Sequence, residues 1–134
     1  MKQLLALVAV VAVSSLPQPV RAQDPVKLSP KMYKVLLEND QVRILDFRIQ
    51  PGESEPRHSH PAVAVYTLSD GQAKMTAVGG KPEIIDGKNG QAFWGPAVVH
   101  RYENVGKTEI HAIIVEMKAA KPASAPAKKA PTAP

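Results

Sequence analysis

The chain has 134 residues, no cysteine and a formal net charge of +5. Its length suffices for one domain with a core of its own, and not for two. The lack of cysteine excludes a disulfide framework, a thiolate nucleophile and thiolate metal ligands. The charge is unevenly spread: Gln23 to Met117 carries eleven Lys/Arg against twelve Asp/Glu, and the surplus lies outside that span. A segment with no basic excess argues against a nucleic-acid partner.

In chain order, Lys2 is followed by the apolar run Leu4 to Val13 and a polar segment ending Val20-Arg21-Ala22. Small residues at −3 and −1 of a cut after Ala22 predict a secretory signal peptide over residues 1–22. The run is too short to span a bilayer, which takes about 20 apolar residues. No cysteine follows it, which excludes a lipoprotein anchor. The mature protein is expected to be periplasmic or secreted, with no stable membrane insertion after cleavage. Residues 23–30, with Pro25 and Pro30, are expected to be a leader into a domain over 31–117.

Everything from there to Met117 has β character. Met32 to Leu37 precedes the turn Glu38-Asn39-Asp40. Val42 to Ile49 alternates, with Val42, Ile44, Phe47 and Ile49 as its apolar side, one slip near Leu45, and Pro51-Gly52 as its end. Further strands are expected at Ala62 to Leu68, Gln72 to Val78, Lys81 to Ile85, Gln91 to Trp94, Val98 to Val105 and Glu109 to Met117. Glycine or Gly-Pro turns punctuate them. Short strands with turns every 8–12 residues predict an all-β sandwich or barrel. Residues 118–134, rich in Ala, Pro and Lys, lack the apolar bulk to order and are expected to be a disordered tail.

Residues 52–71, GESEPRHSHPAVAVYTLSDG, place His58 and His60 two positions apart. On a strand, i and i+2 share a face, roughly 6.6 Å apart. Two imidazoles there can serve one ion, which asks for nitrogens at about 2.0–2.1 Å. A third ligand must come from elsewhere, and His100, just after Gly95-Pro96, is the candidate.

These two segments resemble the two motifs of the cupin superfamily. The first is a Gly, five residues, His-x-His, three or four residues, a Glu, six residues and a Gly. Gly52, His58-Ser59-His60 and Gly71 match it, with Ala64 at the Glu position. The second ends with His, three residues and Asn, which His100 and Asn104 match. Gly95 and Ala97 stand where the family has Pro and Gly, and Gly90 falls one residue short of the opening Gly. The resemblance runs from Val35 to Val115 and implies a cupin-like double-stranded β-helix, a jelly-roll barrel. It implies metal ligation by His58, His60 and His100, as in cupin-like thiol dioxygenases that hold iron with three histidines alone. The ion would be a divalent transition metal: iron, zinc, manganese, nickel or copper.

Smaller expectations follow. Tyr66 shares parity with His60 and Ala64, which points its phenol into the barrel as the candidate catalytic group. Glu53 and Glu55 are expected to be solvated loop acids. Asn104 is expected to fix a turn, Trp94 and Phe47 to be core or pocket wall, and His111 to be structural. The last strand predicts a homodimer through a sheet edge. The functional expectation is a metal-dependent enzyme, dioxygenase-like or isomerase-like, on a small organic molecule; the alternative is a non-catalytic module that binds a small ligand or a metal.

Overall fold

The computed structural model describes residues 23–119; the expected signal peptide over 1–22 and all but the first two residues of the expected disordered tail lie outside the described residues. One helical turn, α1 (Pro25–Leu28), precedes nine strands. These are β1 (Tyr33–Glu38), β2 (Val42–Ile49), β3 (His58–His60), β4 (Val63–Thr67), β5 (Gly71–Ala77), β6 (Glu83–Gly87), β7 (Ala92–Gly95), β8 (Val98–Asn104) and β9 (Ile110–Met117). They form two sheets, ordered β1-β2-β9-β4-β7 and β3-β8-β5-β6, with every pairing antiparallel. The two sheets close into the expected double-stranded β-helix. The eight expected strands all form; β3 was not counted among them, although the His58/His60 spacing already required one.

Alternation explains which side chains face inward. On β9, Ile110, Ala112, Ile114 and Glu116 are buried, while His111, Ile113, Val115 and Met117 are half-buried on the other side. The register with β2 is unbroken, from Val42 against Met117 to Ile49 against Ile110. Inward positions on β2 are therefore Arg43, Leu45, Phe47 and Ile49. The expected slip near Leu45 does not occur, and Val42 and Ile44 belong to the outer side. Arg43 is tolerated at an inward position because Glu116 stands opposite it. Leu45 and Ile49 are fully buried, each contributing roughly 1.5–3 kcal/mol. Tyr33 and Phe47 stack at 4.8 Å between centroids, and Phe47 meets Tyr102 edge-on at 5.8 Å.

Residues 23–30 pack onto the barrel. Asp24 caps α1 by accepting from the Val26 N–H and also takes both terminal nitrogens of Arg43. The Gln23 carbonyl accepts from the Ser59 N–H at 2.9 Å, so this segment holds the middle of β3. Asn104 fixes the turn after β8 as expected. Its side-chain amide donates to the Ile49 and Thr108 carbonyls, and its oxygen accepts from the Gly106 N–H. Gly71, the closing glycine of the first motif, cannot be enlarged, since a Cβ there would lie 2.5 Å from Ile110 Cγ1.

The last strand does not offer a sheet edge. β9 lies between β2 and β4, with both sides hydrogen-bonded. The edges of its sheet are β1 and β7, so the expected route to a homodimer is withdrawn.

Candidate metal centre

The register of β3 against β8 builds the site. His58 lies directly opposite His100, and His60 opposite Val98. Directly opposed residues have Cβ atoms about 4.5–5.5 Å apart, and the i, i+2 pair shares that face. All three histidines are buried, and a ligating nitrogen from each lies within 4.8 Å of the others. The three histidines are positioned to bind a metal ion.

Hydrogen bonds fix two of the rings. His58 Nδ1–H donates to the Pro56 carbonyl at 2.9 Å, and His60 Nδ1–H donates to Glu116 Oε1 at 2.7 Å. Both acceptors lack a proton, so each Nδ1 must carry one. When these rings are neutral, each Nε2 is then a bare lone pair. Those lone pairs face each other at 3.1 Å, and His100 Nε2 is 3.0 Å from His58 Nε2. Burial pushes His58 down to about 4, against the pull of its Pro56 hydrogen bond. Burial, then the neighbouring His58 and His60, push His100 down to about 3. The bare Nε2 atoms of neutral His58 and His60 repel at this distance unless a cation lies between them. Nitrogens 3.0–3.1 Å apart, each about 2.0–2.1 Å from one ion, subtend about 95° at it, an angle that suits a transition metal. The donor set fits the group that the fold implies.

Glu116, which no motif marked, is the carboxylate behind His60. The chain crosses between sheets at Pro61-Ala62, which brings His60 over the end of β9. Burial opposes ionisation of Glu116, but hydrogen bonds from His60 and Arg43 outweigh it and hold its carboxyl below the usual range. Arg43 Nε lies 2.5 Å from Glu116 Oε2, and the other end of Arg43 reaches Asp24. A carboxylate behind a ligating histidine fixes its tautomer and raises its basicity. The parity of Ile110, Ala112 and Ile114 would have shown that Glu116 faces inward.

Glu55 contradicts the expectation of a solvated acid, whereas Glu53 is exposed as expected. Glu55 is only 1% exposed, with Oε1 3.8 Å from His58 Nδ1 and no hydrogen-bond partner on that oxygen. Burial pushes its carboxyl up to about 7, tempered by a hydrogen bond with Tyr33. Burial, then the Glu55 charge, raise the Tyr33 phenol well above its ordinary value and push Tyr102 up to about 12.

Tyr66 is a correction. It is 48% exposed and lies on the outer side of β4, as does Ala64. Val63, Val65 and Thr67 face inward instead. Counting parity through Pro61 failed because the strand breaks there and alternation restarts in the other sheet. The inward position nearest the family's Glu is therefore Val65, and it too offers no ligand. His111 stays outside the site, 3.0 Å from Asp46 on the outer face.

Beside the histidines lies a cavity of about 410 Å³. His60, His100, Glu55, Tyr33 and Tyr102 form its polar end. Val63, Val65, Met75, Ile85, Phe93 and Ile114 are among its apolar walls. Phe47 and Trp94 also line it, as expected of pocket-wall residues.

A family model described as a cupin domain matches residues 45–116. Solved structures with the same fold include a cupin domain of Bordetella pertussis Tohama I, 24% identical, covering 65% of this chain and 92% of that one, with a TM-score of 0.60. An RmlC-like cupin family protein of Methanocaldococcus jannaschii is 19% identical over 64% of this chain and 78% of its own, with a TM-score of 0.55. The polyketide cyclase RemF of Streptomyces resistomycificus is 18% identical over 67% and 66%, with a TM-score of 0.50. At these identities the likeness is one of fold. No curated protein matches the sequence. With more than half of its length matched by the family model and both sheets in place, the chain belongs to the cupin superfamily.

Proposed function

We propose that this chain is a small exported cupin that holds one divalent transition metal on His58, His60 and His100 and acts on a small organic molecule. The reaction would be dioxygenase-like or isomerase-like. The observation that supports this most is the convergence of the Nε2 atoms while the Nδ1 protons of His58 and His60 are committed to Pro56 and Glu116. Such an ion, when bound, supplies Lewis acidity or, as iron or copper, redox chemistry. Three neutral imidazoles leave it its full charge. The chain's own residues then bind and orient: apolar walls exclude water, and the Glu55 carboxyl offers a proton acceptor or donor at the polar end. A neighbour named as a cyclase is in keeping with enzymatic use of this fold.

Metal analysis of protein purified without a histidine tag tests the site. Near-stoichiometric metal is expected in the wild type and its loss in a His58→Ala, His60→Ala double variant; equal contents would end the reading. Dioxygen uptake with candidate thiols and phenols follows. A second reading, a non-catalytic small-ligand module, is favoured by apolar Val65 at the inward position beside the site. Full metal content with no turnover of any substrate would select it. Export rests on the N-terminal signal pattern, and periplasmic or secreted protein whose mass begins at Gln23 is its expected sign.

A further inference from the structure

The cavity beside the histidines is unusual in what its wall lacks. Among the described residues no lysine or arginine lines it, although they contain twelve. Glu55 is its only acid, buried, with one oxygen free of any hydrogen-bond partner. Of the remaining polar groups, the Thr67 and Ser69 hydroxyls are spent on backbone carbonyls of Gln91 and Glu109. The wall thus divides sharply: one end carries histidines, Glu55 and two phenols, and the rest is hydrocarbon and aromatic.

We propose that the cavity takes an uncharged, largely apolar molecule bearing a hydroxyl group, such as a phenol or an enol, with that hydroxyl turned toward the histidines and Glu55. The position of the hydroxyl rests on the metal-site reading above; the choice of an apolar body rests on the wall alone. Away from the histidine end, phosphate esters, polyacids and polyhydroxylated sugars would have to shed their hydration against hydrocarbon, with no lysine, arginine or spare donor array in the wall to compensate. An aromatic or branched body would displace water from Val63, Val65, Met75, Ile85 and Ile114, the ordinary driving force for such sites. Glu55 Oε1 then accepts the hydroxyl proton's hydrogen bond, which gives a buried oxygen the partner it otherwise lacks. Trp94, the only tryptophan, lines the cavity yet is 65% exposed, so it marks the solvent-facing side.

Trp94 fluorescence and calorimetry on the full mature chain, zinc-loaded and metal-free, provide the test, with 2-naphthol, 2-naphthyl phosphate and gluconate as probes. Expected in the metal-free form is one-to-one binding of 2-naphthol at least tenfold tighter than of the phosphate ester, with no measurable gluconate binding. Val65→Phe should weaken 2-naphthol at least tenfold while metal content stays unchanged. Glu55→Gln, which keeps the shape, should narrow the preference for naphthol over the phosphate ester. Equal or tighter binding of the phosphate ester by the metal-free form, or no naphthol binding to either form, would overturn the assignment. If the protein takes up no zinc yet still binds 2-naphthol selectively, the metal-site reading falls and the apolar-ligand assignment stands.

Discussion

Two buried glutamates flank the histidines, and they behave in opposite ways. Glu116 lies behind His60 and has Arg43 against its other oxygen. Glu55 lies beside His58 with a phenol for company and no cation. Both are almost fully buried. Burial pushes both carboxyls up, yet Glu116 ends below the usual range and Glu55 near 7. Burial alone therefore does not decide the charge of an inward acid; the neighbouring cation does. One side of the site is a fixed anion that orients a ligand, and the other is a carboxyl facing the cavity.

Removing the cation should break the comparison most severely. Arg43→Ala leaves Glu116 buried without its cation and with only the His60 hydrogen bond, and a loss of about 3–5 kcal/mol of stability is expected in urea unfolding. Replacing both partners, Arg43→Met with Glu116→Leu, should recover much of that stability but not the metal affinity.

The pH dependence sharpens the contrast. Glu55 has a raised folded value, so its contribution is fully present below about 4.5 and is lost as pH rises toward 7. Glu116 has a lowered one, so its contribution is present above about 4.5 and lost as pH falls through its folded value. In metal-free protein, Glu55→Gln should remove a decline of at most about 2–3 kcal/mol between pH 4.5 and 7. Urea midpoints across that range would show it, and an unchanged slope would mean that Glu55 is not held neutral by burial. Glu116→Gln should leave the fold intact and weaken zinc about 10–100-fold in chelator competition. The smallest effect belongs to Tyr66→Phe, on the outer side of β4. Metal content should be unchanged and stability should move by less than about 0.5 kcal/mol.

The legible parts of this molecule were those carried by local pattern. Strands bounded by glycine turns declared themselves, and β2 was located to the residue. The histidine pair declared itself through i, i+2 spacing, and His100 and Asn104 through the resemblance. What was missed depended on which side a residue faced. Tyr66 and Ala64 were assigned inward by counting across Pro61, where the chain changes sheets. Glu116 was overlooked because its partners, His60 and Arg43, are distant in sequence. Glu55 looked like a loop acid, and only the packing of Tyr33 and Tyr102 around it removes it from water. The central position of β9 follows from the topology, since its two neighbours, β2 and β4, lie far before it in sequence.

Nitrogen-15 NMR of the imidazoles, in metal-free protein and during addition of zinc, tests the convergence most directly. The account predicts that His58 and His60 carry their protons on Nδ1. It also predicts that the Nε2 signals of His58, His60 and His100 shift together and saturate at one equivalent, while His111 stays still. Shifts at His111, or three histidines that respond at different stoichiometries, would contradict it.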